Sequence, residues 1–394
     1  MNRVFLRLVI AVSCGSAGPV WGETLATPAD APSAVIPGPA TCATSGCHGG
    51  ADAISRQYVI WSQRDVHSRA YATLTSARAA RMGEALKIAQ PAQSTTCTAC
   101  HAPLQTVAPA LLMANAHVED GVTCVSCHGT PENWLRSHTR PDWTHADRVA
   151  AGMHDLRNLY GRANTCVACH QNIDPALVKA GKHPQLIFEL DGQSASEPKH
   201  WRETASWSGA EAWYVGQLVA LREMSAALER SSADVELDGP RWAGLLWVLQ
   251  RCDKDVADTS LVSLTPEFTT SAYAAARSAS DLRAQLVASH FGDRKDNNAA
   301  PEPWDPRVAK ELLKVLAASY PAFLESSVNK TVQAYRAERL VLALDRLLAS
   351  LPPKQRPAAA STQLDALFQH AQSIPDFSPK DFARELAAFE QTLN

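Results

Sequence analysis

Apolar residues recur with a helical period through the second half of the chain. Three stripes stand out: Trp213, Gln217, Ala220, Met224 and Leu228; Tyr335, Leu342 and residues 344–348; and Phe382, Leu386, Phe389 and Leu393. A spacing of three to four residues is typical of a helix with one buried face. Ser378 and Pro379 form a start signal for the last helix. We predict a bundle of five to seven helices without strands over residues 204–394.

The first 22 residues have the layout of a secretory signal peptide, with a basic start, a short apolar run and small residues before the expected cleavage point. We predict cleavage after Gly22, followed by an extended Pro- and Ala-rich lead over residues 23–40. An alternative is a lipid anchor at Cys14. No later stretch is apolar enough to span a bilayer. The sequence therefore predicts an exported, periplasmic protein with peripheral or no membrane contact.

Composition limits the class of protein further. With 394 residues, of which 46% are hydrophobic, the chain is long enough for two globular domains. Its 40 acidic and 37 basic residues leave a net charge of -3. This balance argues against nucleic acid or an anionic membrane as the main partner.

Eight of the ten cysteines form four close pairs, and each pair is followed directly by histidine. The four motifs are CATSGCH at 42–48, CTACH at 97–101, CVSCH at 124–128 and CVACH at 166–170. Disulfide bonds have no use for that histidine, and a shared zinc site leaves all four histidines unexplained. In c-type haem attachment, two thiols bond to the porphyrin edge and the adjacent histidine ligates the iron. The motifs therefore predict four covalent c-type haems.

The predicted attachment residues are Cys42, Cys47, Cys97, Cys100, Cys124, Cys127, Cys166 and Cys169, and the predicted proximal ligands are His48, His101, His128 and His170. The first motif has four residues between its cysteines where the others have two, so its loop is longer. Cys252 lacks a second cysteine and a following histidine, so we predict no fifth haem.

Nine other histidines can supply the second axial ligands. A second imidazole makes a haem an electron carrier, whereas an empty sixth position admits small molecules. We predict His67, His138 and His183 as distal ligands, with His117 and His154 as alternatives. His145, His200, His290 and His370 are interpreted as bystanders.

Residues 41–203 resemble the tetrahaem cytochrome c-554 and c-prime family of multihaem c-type cytochromes. The resemblance rests on the order of a first motif, a DVHSRAY element at 65–71, CTACH, EDGVTCVSCHG at 119–129 and NTCVACH at 164–170. It implies a mainly α domain of short helices and loops around four haems. It also implies that His67 and His138 are distal ligands, that His183 has this role as in longer relatives, and that the haem at Cys97, Cys100 and His101 is five-coordinate.

The predicted organisation is thus a signal peptide (1–22), a lead (23–40), a tetrahaem domain (41–203) and an α-helical C-terminal domain (204–394). We predict electron transport between redox proteins, with iron as the redox-active metal and no catalytic residue. One alternative is a haem enzyme that acts on a small nitrogen or sulfur compound at the Cys97/Cys100 haem. Another is a haem-based gas sensor. The C-terminal helices are predicted as a scaffold or as a docking surface for a redox partner.

Overall fold

The computed structural model describes residues 35–203, 207–253, 261–292, 306–372 and 374–393, apart from the side chains of residues 290–292. Within these ranges it contains sixteen α-helices, short 3-10 turns and no strand beyond one isolated bridge between Ile36 and Leu112. The predicted mainly α class is confirmed. The predicted signal peptide, Cys14 and most of the lead lie outside the described residues.

The helices are α1 (Gln57–Arg64), α2 (Ala70–Leu74), α3 (Ala77–Leu86), α4 (Thr95–His101), α5 (Cys124–His128), α6 (His145–Ala150), α7 (Leu159–His170), α8 (Pro175–Lys179), α9 (Leu190–Ser196), α10 (Gly209–Glu229), α11 (Val235–Cys252), α12 (Thr270–Gly292), α13 (Pro306–Ala317), α14 (Lys330–Ser350), α15 (Ala360–Ala371) and α16 (Pro379–Thr392). No helix among the described residues combines the length and the apolar content needed to cross a membrane.

In the described part of its second half, the chain forms a bundle of seven helices, α10 to α16, around one continuous apolar core. α10 lies at its centre and packs against α7, α9, α11, α12 and α14. The predicted stripe from Trp213 to Leu228 is buried, but Tyr214, Leu218 and Leu221 on other faces of α10 are buried as well. A helix surrounded by neighbours has no solvent face, and this is why the stripe is only part of its buried surface.

The crossing of α11 and α14 depends on a glycine. A Cβ atom at Gly244 would lie only 2.8 Å from the carbonyl carbon of Tyr335. The backbone of α14 can approach this closely because Gly244 has no side chain. Tyr335 and Leu342, which the sequence pattern placed on the buried face, are half-buried at its margin. The buried face of α14 is centred instead on residues such as Leu340 and Leu344.

The start predicted for the last helix is confirmed. The Ser378 hydroxyl accepts a hydrogen bond from the Asp381 backbone N–H, and Pro379 is the first residue of α16. Phe382 and Phe389 are fully buried in the same core. The N-cap and the proline therefore position the buried face of this helix.

The first half of the chain is built from short helices and loops with little apolar core. Before residue 159 the described hydrophobic residues that are buried number only six: Ile36, Leu74, Ala79, Ala102, Leu104 and Trp134. The Ile36 backbone N–H donates to the Leu111 carbonyl at 2.6 Å, and Met113 N–H donates back to Ile36 at 2.9 Å. Residues 35–40 of the predicted lead are therefore part of this folded segment.

α7 joins the two halves. Leu159, Ala163 and Val167 lie four residues apart on one face and belong to the core of the helical bundle. Arg222 on α10 donates to Asn164 on α7 at 2.6 Å and to Asp281 on α12 at 2.8 Å. The described residues from 35 onwards form one compact unit, and the predicted domain boundary at residue 203 stays a prediction.

A half-buried carboxyl at the start of α9 makes stability depend on pH. Burial raises the pKa of Glu189 from its ordinary 4.5 to about 7, although Arg346 Nε lies 3.2 Å from Glu189 Oε2. Between these values the unfolded chain releases the proton before the folded chain does, so the free energy of unfolding falls as the pH rises.

We expect Glu189→Gln to lose less stability between pH 5 and pH 8 than the parent protein, as measured by thermal unfolding midpoints at both values. Glu132→Gln, at an exposed position, is the control and should follow the parent. An equal loss in the parent and in Glu189→Gln would contradict the prediction.

Candidate haem-binding centre

Three of the four cysteine–histidine motifs lie at the carboxyl ends of short helices. The second, third and fourth motifs end α4, α5 and α7, whose last residues are His101, His128 and His170. Two cysteines three positions apart share one face of a helix, and the histidine follows just beyond them. The first motif lies instead in turns after the 3-10 turn Pro39–Thr41, as expected for its longer loop.

The structure brings the motifs together in two pairs. The Cys42 and Cys124 thiols are hydrogen-bonded, which joins the first motif to the third. The Cys100 and Cys169 thiols are also hydrogen-bonded, which joins the second motif to the fourth. The described cysteines are all free thiols. Thiols that approach one another without forming disulfides leave their sulfur atoms available for another group.

The thiols differ in their environment. The hydrogen bond from Cys124 lowers the pKa of Cys42 to about 7. Burial raises the pKa values of Cys127 and Cys166 to about 12, so these two thiols are protonated at neutral pH. Cys47 is exposed. The predicted attachment residues thus differ widely in exposure.

Three motif histidines each face a histidine from outside the motifs. The ring centroids are 6.0 Å apart for His48 and His138, 6.1 Å for His67 and His170, and 6.3 Å for His128 and His200. Two imidazoles that ligate one iron from opposite sides, with iron–nitrogen bonds of about 2 Å, have centroids about 6 Å apart. The spacing of all three pairs fits one iron between the two rings.

Hydrogen bonds hold several of these rings by Nδ1. His48 Nδ1 bonds to Gln57 Oε1 at 3.0 Å, and His138 Nδ1 bonds to the Leu135 carbonyl at 2.7 Å. A bond at Nδ1 fixes the ring orientation and leaves Nε2 free as a metal ligand. His145 has the opposite arrangement, with Nε2 bound to Asp155. Its interpretation as a bystander agrees with this bond.

His67 carries a charged partner. Its Nδ1 donates to Asp65 Oδ1 at 2.9 Å, and this hydrogen bond raises the pKa of His67 in spite of burial. Burial works against the carboxylate, but the hydrogen bonds from His67 hold the pKa of Asp65 below its ordinary value. A carboxylate behind an imidazole is a common means of orienting a metal-ligating histidine.

His101, the second motif's histidine, has a different environment. Its Nδ1 lies 3.0 Å from the Thr73 hydroxyl. Among the described residues no second imidazole faces it at the separation of the three pairs. His183 is near enough for its charge to add to burial in lowering the pKa of His101, and its Nδ1 bond to the Pro184 carbonyl leaves Nε2 free, but it does not face His101 at the separation of the three pairs. The structure therefore leaves His183 outside the facing pairs.

The facing pairs include one residue that sequence reasoning missed. His200 was interpreted as a bystander, yet it is the ring that faces His128. It follows the fourth motif in sequence but meets the third motif in space, so no local spacing could have identified it.

The alternative candidate His154 is close to the third motif without facing its histidine. Its Nδ1 bonds to the Cys127 carbonyl at 2.9 Å. A Cβ atom at Gly129, whose φ is +80°, would lie 2.9 Å from the His154 ring. His154 therefore packs against the turn that ends the motif.

Protonation and packing both fit a haem centre. Burial, together with the charge of His200, lowers the pKa of His128 to about 4, and burial also lowers the pKa values of His170 and His200. Neutral imidazole is the form that ligates iron. The six buried hydrophobic residues before residue 159 are few for a protein-only core, and large apolar cofactors would supply the missing surface.

Comparison with known proteins gives one family match. Residues 41–129, which contain the first three motifs and His67, match the cytochrome c554 and c-prime family. Searches of curated proteins and of solved structures return no significant match. A family match of this kind implies covalently bound c-type haem. Residues 41–129 are therefore similar to the cytochrome c554 and c-prime family, and this similarity implies c-type haem in this part of the chain.

Proposed function

We propose that this protein is a periplasmic electron carrier with four covalent c-type haems. The observation that carries the proposal is the set of three facing imidazole pairs, each joining one motif histidine to one histidine from elsewhere in the chain. When bound, the haems supply one-electron redox chemistry. The four motifs provide the thiols for attachment, and three of them have a second imidazole in position.

The axial ligands follow from the pairs. His48 and His138 would ligate the first iron, His128 and His200 the third, and His170 and His67 the fourth. Two imidazoles on one iron keep small molecules away, so these sites suit electron transfer. The contacts between motifs one and three, and between motifs two and four, support a short path for electrons within each pair of sites.

The proposed partners are redox proteins that donate and accept electrons. The net charge of -3 gives no strong field for nucleic acid or an anionic membrane. Export through the predicted signal peptide would place the mature chain in the periplasm. The helical bundle would then serve as a scaffold, since α7 anchors the fourth motif directly in its core.

A second candidate function is a haem enzyme that acts on a small nitrogen or sulfur compound at the second motif. The observation that favours it is that His101 lacks a facing imidazole in the described part of the chain. A five-coordinate iron there would admit an external ligand. The two candidate functions differ in whether a protein ligand occupies the sixth coordination position of this iron.

Low-temperature EPR of the oxidised four-haem protein, with carbon monoxide added after reduction, tests these assignments. We expect EPR of the oxidised protein to show three low-spin haems and one high-spin haem, and the visible spectrum of the reduced protein to change when carbon monoxide binds. His200→Ala should convert one further haem to high spin, since it removes the ring that faces His128. Four low-spin signals without ligand binding would exclude the enzyme candidate and leave a pure electron carrier.

His183→Ala is the matched control for His200→Ala, because both remove an imidazole that follows the fourth motif. It should leave the number of low-spin haems unchanged. A loss of one low-spin signal in His183→Ala, with none in His200→Ala, would reverse the assignment. Fewer than four haems in the mature parent protein would contradict the tetrahaem proposal itself.

A further inference from the structure

A buried negative charge lies behind one of the facing imidazoles. Asp65 is only 2% exposed, and its Oδ1 accepts hydrogen bonds from both the Nδ1 and the backbone N–H of His67, each at 2.9 Å. Glu197 supplies a second carboxylate, and ligand atoms of Asp65, His67 and Glu197 all lie within 4.8 Å of one another. Two carboxylates thus converge beside the ring that faces His170.

Three other rings of the centre have neutral partners at Nδ1. Gln57 offers an amide oxygen to His48, Leu135 offers a carbonyl to His138, and Thr73 offers a hydroxyl to His101. Among the Nδ1 bonds of these described residues, only the one from His67 ends on a carboxylate. The histidine that faces the fourth motif therefore has a charged Nδ1 partner, whereas these three rings have uncharged ones.

Nearby positive charge does not cancel this difference. Arg162 is close enough to Glu197 to lower its pKa, against the larger effect of burial. The guanidinium of Arg162 is, however, paired with Glu203 at 3.1 Å. Its charge is therefore shared with a carboxylate outside the cluster and offsets the charge of Glu197 only in part.

A carboxylate at Nδ1 has two effects in the same direction on a metal at Nε2. It draws the Nδ1 proton towards itself, which makes the imidazole a stronger donor to the metal. Its charge, in an interior of low dielectric constant, also stabilises the oxidised metal more than the reduced one. Both effects lower the reduction potential.

We propose that Asp65, supported by Glu197, makes the haem attached through Cys166 and Cys169 the lowest-potential haem of the centre. Asp65 is a positioning residue that acts through His67 and does not contact the iron. This inference rests on the proposed haem ligation. Its consequence is that the fourth-motif haem is the last of the four to accept an electron.

The test is a redox titration of the mature four-haem protein, with each haem followed by its EPR and visible signals. Asp65→Asn keeps the shape and the oxygen acceptor but removes the charge. We expect the lowest midpoint to rise and the oxidised-to-reduced ratio of that haem at fixed potential to change about tenfold, which is about 59 mV for one electron. The midpoint of the third-motif haem should move less, because the charge of Asp65 also reaches His200 and Cys127, and the first and second midpoints should stay in place.

Two further variants separate charge from structure. Asp65→Glu should restore the parent midpoint in large part, because it retains the carboxylate. Asp155→Asn alters the His145–Asp155 pair, in which the bond is at Nε2 and each side chain is 31% exposed, and it should leave all four midpoints unchanged. Glu197→Gln should raise the same lowest midpoint by a smaller amount, so the inference remains testable if Asp65→Asn folds poorly.

The inference is overturned if Asp65→Asn or Glu197→Gln retains four haems and leaves the lowest midpoint unchanged, or if another haem's midpoint moves instead. Failure of the haem ligation gives a different result. If His67→Ala leaves every low-spin signal intact, His67 is not an axial ligand and the proposed ligation fails, whatever the midpoints are.

Discussion

Replacing Cys124 and Cys127 together with alanine is expected to remove one haem from the mature protein and to unfold much of the first half of the chain. The two thiols are the proposed covalent attachment of the third haem, and Cys124 also contacts Cys42 of the first motif. With six buried hydrophobic residues before residue 159, this half has little core of its own. Loss of a large apolar cofactor should therefore destabilise this half of the chain more than a cavity left by one side chain would.

Intact-mass measurement together with a haemochrome assay would give the haem content, and limited proteolysis would report unfolding of the first half. Cys252→Ala is the control, because it removes a cysteine outside the motifs and should leave the haem content unchanged. An intact haem complement in the double variant would show that the third motif does not bind haem. Equal haem loss in the control would point to a general folding defect.

Trp242→Ala is expected to lower the free energy of unfolding by about 3–5 kcal/mol, the usual range for deleting a large core aromatic side chain. Trp242 is fully buried in α11, and its indole N–H donates to the Ser225 hydroxyl on α10 at 2.8 Å. Its ring also packs edge-on against Tyr273 of α12, with centroids 5.0 Å apart. One side chain thus connects three helices of the bundle.

Denaturant unfolding monitored by far-UV circular dichroism would measure this loss. Trp242→Phe is the matched control, because it keeps an aromatic ring in the core and removes the hydrogen bond to Ser225. Its free energy of unfolding should fall clearly less than that of the alanine variant. A loss below about 1 kcal/mol in Trp242→Ala would contradict the burial of this ring, since surface substitutions usually lie in that range.

The helical bundle shows which buried positions the hydrophobic period predicts and which it does not. The spacing of Phe382, Leu386 and Phe389 predicted their burial because a helix repeats on a fixed period and needs no knowledge of its neighbours. The same reasoning placed Tyr335 and Leu342 too centrally on α14. The backbone of Tyr335 closely approaches Gly244 of α11, and such a contact is a property of two helices that cannot be deduced from one.

The haem motifs could also be predicted from the sequence, because their chemistry depends on residues that are close together in the chain. Thioether attachment and proximal ligation require two thiols and an imidazole within one short segment, so the chemistry leaves a local pattern. The family match over residues 41–129 agrees with that reading. The difference between Asp65 behind His67 and Gln57 behind His48 is likewise a local one, but its importance depends on which motif each ring faces.

By itself, the sequence determined the helical class, the c-type haem chemistry and the residues of the four motifs, because helical period and haem attachment both act over a few consecutive residues. Only the tertiary structure decided that motif one meets motif three, that motif two meets motif four, and that His200 faces His128. A distal ligand must only reach the open side of an iron. Any distance along the chain can separate it from the motif, so its identity is settled by folding and not by spacing.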